Sequence, residues 1–152
     1  IKARNRLRQL LFQQGNRARL IYGDQQQDRH GRNLAHLWLA DDSNLAARLL
    51  REGLAWSVAI PPNIRYLDCY LEAEQTARKA SRGVWDHPDY APRNANELGL
   101  RNEGFQRVRG RIIRVNHGGG ARREIEVRGW LYSAKGELRV TVQHPAALQF
   151  TN

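Results

Sequence analysis

Within five residues, Asp28-Arg29-His30-Gly31-Arg32, the chain sets one carboxylate beside two guanidinium groups and an imidazole, with a glycine between them. Side chains of this kind suit phosphate. A guanidinium presents a flat fork of donors that can take two phosphate oxygens at once. The plain structural alternative is a hairpin arginine, Arg32, paired with Asp28. A second basic series lies further on. Arg107, Arg109 and Arg111 alternate along a β-type run, so they share one face of a strand and line it with positive charge. Such a face is a track for a polyanion backbone, or else a solvated edge whose charges resist aggregation.

Overall charge points the same way. There are 25 Lys and Arg against 15 Asp and Glu, a formal +10, and 22 of the 25 bases are Arg. An Arg-rich surface suits a phosphate polymer better than a generic acidic protein, although a coding bias toward Arg produces the same count. Other chemistries find little support. Cys69 is the only cysteine, which leaves no intrachain disulfide and no paired-cysteine metal motif. His30, His36, His87, His117 and His144 lack ligand-like spacing, so zinc is not expected. Asp41-Asp42 reads as an exposed turn rather than a cation site, and no metal ligands are assigned. No run approaches the roughly 18–20 apolar residues of a membrane span.

At 152 residues and 17.5 kDa the chain has room for one ordinary domain or for a small domain with an appendage. Ala3, Leu7, Leu10 and Leu11 fall on one face of a helix over 2–14 that Gly15 stops. Residues 19–22 and 34–39 read as two strands joined through a polar turn. Leu45, Leu49 and Leu50 make a short helix, capped by Ser43 or Asn44 and ended by Gly53. Leu54 to Ile60 reads as another strand, stopped at Pro61-Pro62, and residues 64–82 as the longest helix. Residues 91–103 read as a linker in a Pro- and Asn-rich stretch. Beyond it, runs over 108–115, 125–131 and 138–142, turned at Gly118-Gly119-Gly120 and Ala134-Lys135-Gly136, form a small basic β unit over 104–152.

Three ordered motifs carry a resemblance. They are Asp28-Arg29-His30-Gly31-Arg32 leading into Leu34-Ala35, then Leu49-Leu50-Arg51-Glu52-Gly53-Leu54-Ala55, and last Glu72 to Arg78 followed by Arg82-Gly83-Val84-Trp85. Together they resemble the staphylococcal nuclease (thermonuclease) family over residues 1–90. The resemblance implies an α+β, mainly β fold: an OB-type β-barrel with helices packed on it, here followed by the C-terminal β-meander. It also implies calcium-assisted hydrolysis of phosphodiester bonds in DNA or RNA, with Arg32 as one catalytic arginine. Arg29 and His30 are expected to contact nucleic acid, as are Arg107, Arg109 and Arg111. Trp56 is expected to fill the core rather than stack on a base. Secretion or a periplasmic location follows from the resemblance alone.

The chain also departs from the family. The family's calcium-binding aspartates, its second arginine and its glutamate base belong to strands and an Asp-x-Pro-Glu loop ahead of the first helix, and this chain opens at Ile1 inside that helix and contains no Met. A segment is therefore expected in front. Two readings follow: a calcium-dependent nuclease of which this chain holds Arg32, and a non-catalytic module that holds single-stranded nucleic acid. The three C-terminal runs are weighed, as a lesser option, as strands that complete the first sheet.

Overall fold

The computed structural model describes residues 2–114 and 123–151. Val115, His117, the Gly118–Gly120 turn and Arg122 lie outside the described residues. The chain divides into two compact units, residues 1–88 and 89–152.

In the first unit, α1 (Lys2–Gln13) turns Leu10 inward against Leu39 and Leu45, with Leu7, Leu11, Leu37 and Leu49 around them. Spacings of three and four residues put these leucines on one stripe and leave Arg4 and Arg8 toward solvent, while Arg6 is half-buried and paired with Glu52 at 2.6 Å. β1 (Arg19–Gln27) and β2 (Asn33–Trp38) form an antiparallel hairpin, paired regularly from Arg19↔Trp38 to Tyr22↔Ala35. α2 (Leu45–Arg51) starts at Asn44, whose side-chain oxygen accepts from the Ala47 N–H at 3.1 Å; of the two capping candidates, Asn44 therefore serves. α3 (Leu67–Lys79) packs on α2 through Ala73, which is fully buried against Ala47 and Leu50. Small side chains at that contact let the two helices approach closely.

The strand expected over residues 54–60 is not formed. That segment has no regular secondary structure, and its backbone is satisfied elsewhere: Leu54 N–H donates to the Leu49 carbonyl at 2.9 Å, and Ser57 N–H donates to the buried Glu74 carboxylate at 2.6 Å. The neighbouring helices take the hydrogen bonds that a strand partner would otherwise have taken. Trp56 lies half-buried in this segment.

In the second unit, β5 (Glu124–Ala134) is the central strand. β4 (Gly104–Arg111) pairs along one edge of it, while β6 (Glu137–Val140) and β7 (Leu148–Thr151) share the other. The two-residue strand β3 (Arg93–Asn94) runs parallel to β4, within the stretch read from sequence as a linker. A short Asn- and Pro-rich segment can still supply an edge strand, because ladder hydrogen bonds need no side-chain period. The strands of this unit pair among themselves, and among the described residues no ladder joins them to β1 or β2. The fold class is α+β, as the sequence implies.

Candidate nucleic-acid interface

The turn between β1 and β2 is built around Asp28. Asp28 N–H donates to the Arg32 carbonyl and Gly31 N–H to the Asp28 carbonyl, each at 3.0 Å, with Gly31 at φ +75°, where a side chain would strain the turn. The Asp28 carboxylate completes the loop. Oδ1 accepts from the His30 and Arg32 backbone N–H groups at 2.8 and 3.0 Å, and Oδ2 accepts from Arg32 Nε at 2.7 Å. The Arg32 backbone N–H is the main influence holding the Asp28 carboxyl down at about 2, with the Arg32 side chain and the His30 N–H adding to it.

That arrangement aims a cation outward. Arg32 is held only through Nε, its side chain is 75% exposed, and both of its Nη groups are without a protein partner among the described residues. Arg29 Nε donates to His30 Nε2 at 3.0 Å on the same exposed turn. The hairpin therefore brings Arg29, His30 and Arg32 together.

Arg107, Arg109 and Arg111 belong to β4 of the second unit. They share a face, as alternation requires, but only two present their charge to solvent. Arg107 is 6% exposed; its Nε donates to Glu126 at 2.8 Å and its Nη1 to the Tyr90 carbonyl at 3.0 Å. Arg109 and Arg111 are exposed, near Glu126 at 3.9 Å and Glu124 at 3.2 Å.

Two supports behind the hairpin were not legible as site residues. Between Tyr22 and Gln27, β1 bulges away from β2, and the Asn63 side chain replaces the missing strand: it accepts from Gln25 N–H at 2.9 Å and donates to the Gln25 carbonyl at 2.7 Å. On β2, His36 Nδ1 lies 2.6 Å from the Tyr70 hydroxyl, which also accepts from Asn44 Nδ2 at 3.2 Å. Burial, with Arg65 nearby, pushes the His36 imidazole below its usual range.

No group of three or more His, Cys, Asp or Glu able to hold a metal ion occurs among the described residues. Asp41 is committed to Ser43 and Arg48, and Asp42 to Arg19. Among the described residues the donor set does not fit a calcium ion.

Hairpin, helices and the Gly31-Arg32 turn define a nuclease-like domain. The family model described as staphylococcal nuclease homologue matches residues 1–87, more than half of the chain, and the chain belongs to that family. It is 36% identical over 70 residues to a thermonuclease of Staphylococcus intermedius, and 34% identical over 71 residues to a thermonuclease of Staphylococcus hyicus. These matches cover 46% and 47% of this chain and 41% of each relative, so the chain spans about two fifths of the length of the curated relatives it matches. No helix among the described residues is long and apolar enough to cross a membrane.

Proposed function

We propose that this chain grips nucleic-acid phosphodiesters through the Arg32 hairpin, as part of a thermonuclease-like hydrolase. The supporting observation is the Asp28–Arg32 geometry. A carboxylate fixes the guanidinium through Nε and leaves two Nη donors facing solvent, where a phosphate can take both. Arg29 and His30 stand beside it as further phosphate contacts. In hydrolysis, charge grows on the phosphoryl oxygens as the bond to the leaving oxygen breaks, and a cation positioned beforehand stabilises that charge more than it stabilises the ground state. Arg32 has this role here. The calcium that the family uses would supply further charge neutralisation when bound, and no group of His, Cys, Asp or Glu that could hold it occurs among the described residues.

In a second reading residues 1–152 hold nucleic acid without cutting it, in keeping with the lack, among the described residues, of any His, Cys, Asp or Glu group that could hold a metal ion. One pair of assays separates the two. Purified residues 1–152 are given single-stranded DNA and calcium, and binding and cleavage are followed together. Binding without substantial cleavage is expected of this chain, because one arginine does not replace a cation and a general base. In a longer protein that cleaves, Arg32→Ala is expected to lower kcat by about a hundred-fold or more. Full activity in that variant refutes the hydrolase reading.

A further inference from the structure

We propose that the second unit carries its own site for single-stranded nucleic acid, with bases stacking on Trp130 and Tyr132 and the backbone running toward Arg109 and Arg111. The inference rests on the reading of this chain as one that engages nucleic acid, and it assigns that engagement a surface separate from the Arg32 hairpin.

Register assembles the site. Across β4 and β5, Phe105 faces Trp130, Arg107 faces Arg128, Arg109 faces Glu126 and Arg111 faces Glu124, while Tyr132 faces Arg139 on β6. Directly opposed residues share a face, and on this one the two ends are exposed while Arg107, Glu126 and Arg128 between them are buried, with Arg107 Nη1 on the Tyr90 carbonyl. Its centre is closed by the buried Arg107–Glu126 pair. One end is aromatic: Trp130 is 52% and Tyr132 43% exposed, and the Phe105 ring meets Trp130 edge-on, with centroids 5.0 Å apart. Phe105 braces the indole and leaves it open to solvent. The other end is cationic. From Phe105 to Arg111 is six residues of strand, about 20 Å, long enough for several nucleotides.

Charge chooses the occupant. Residues 89–152 hold 11 Arg and Lys against 6 Asp and Glu. A basic or neutral apolar partner gains nothing from that field, whereas a polyanion does. Every base has a π-face for an exposed indole or phenol, and single-strand sites combine such platforms with arginines along the backbone. The pairs Arg111–Glu124 and Arg139–Glu137, at 3.2 and 2.9 Å, are solvent-exposed and weak, so phosphate can displace the carboxylates.

The test is fluorescence anisotropy of a labelled oligothymidylate of about 15 nucleotides, titrated with residues 1–152 over a range of salt. Trp130→Ala with Tyr132→Ala is expected to weaken binding about ten-fold or more, and Trp130→Phe with Tyr132→Phe to restore most of it. Arg109→Gln with Arg111→Gln is expected to lower the slope of log K against log salt by roughly 1.4. Thermal melting checks that each variant is folded. Unchanged affinity in both the alanine and the glutamine variants overturns the proposal. So does a sedimentation shift from dimer to monomer in the alanine variant, which makes a second copy the occupant. Arg32→Ala separates the two claims: if it alone abolishes binding, the hairpin reading stands and this one falls; if it leaves binding intact while the aromatic variant loses it, the reverse holds. Absence of binding by the wild-type chain overturns both.

Discussion

Gly53 and Gly83 meet backbone to backbone where α2 ends and the turn after α3 begins, with Val84 N–H donating to the Gly53 carbonyl at 2.9 Å. A Cβ on Gly53 would strike the Arg82 carbonyl oxygen, and one on Gly83 would strike the Gly53 carbonyl oxygen. Both residues also have positive φ, +71° and +57°. Steric conflict and a left-handed backbone therefore act together. Gly53→Ala or Gly83→Ala is expected to destabilise the first unit by about 3 kcal/mol. Urea unfolding reads this as a lower midpoint at unchanged m-value.

In the second unit the sensitive point is Glu126, 1% exposed and bonded to the buried Arg107. Arg128, on the same face of β5, is also buried. Removing the carboxylate leaves cations in a poorly solvated setting. Glu126→Ala is expected to cost about 3–5 kcal/mol, and the double variant Glu126→Leu with Arg107→Met much less, since it removes both charges. Thermal unfolding of the two variants, with β4–β5 amide exchange as a local readout, distinguishes them.

Much of the first unit was readable because its signals are local. Leucines at three- and four-residue spacing placed α1 and α2, Ser43 and Asn44 both offered a cap, and the polar, turn-rich stretch over residues 23–32 announced the hairpin. Segment 54–60 misled because its composition suits a strand, while the partners that satisfy it, Leu49 and Glu74, sit on helices. Arg107 could be placed on a face but not in the interior; only the register that sets β4 against Glu126 on β5 reveals its burial. His36 escaped for the same reason, since Tyr70 lies 34 residues away in sequence. Trp130 and Tyr132 show the alternation of a strand, yet alternation does not tell which face is covered.

His36 makes stability depend on pH in the mildly acidic range. Burial lowers its folded-state pKa beneath the ordinary 6.5, so the folded protein resists a proton that the unfolded chain accepts. Stability is therefore fully present above 6.5 and is lost as pH falls from there through the folded-state value. The groups facing His36 are the Tyr66 and Tyr70 rings and the Arg65 charge. Between pH 8 and pH 5 the wild-type Tm is expected to fall further than that of His36→Gln. Equal falls would show that His36 is not the group responsible.

Asp28 titrates far lower, and its response separates two contributions to the hairpin. Its carboxyl is held at about 2 against an ordinary 3.8, so the order that it gives the turn is complete above 3.8 and is lost as pH falls through about 2. The leading cause is the Arg32 backbone N–H, which survives substitution of the Arg32 side chain. Carboxyl NMR is therefore expected to find a midpoint near 2 in the wild-type chain and one raised only part of the way toward 3.8 in Arg32→Ala. The His30 and Arg32 amide resonances are expected to move with the same midpoint, since both donate to Oδ1. Replacing Gly31 with Val acts on the backbone instead, because φ +75° strains a branched residue. In that variant the turn opens, both amide donors leave Oδ1, and the Asp28 midpoint is expected to rise most of the way toward 3.8, the Arg32 side chain holding it down by the remainder.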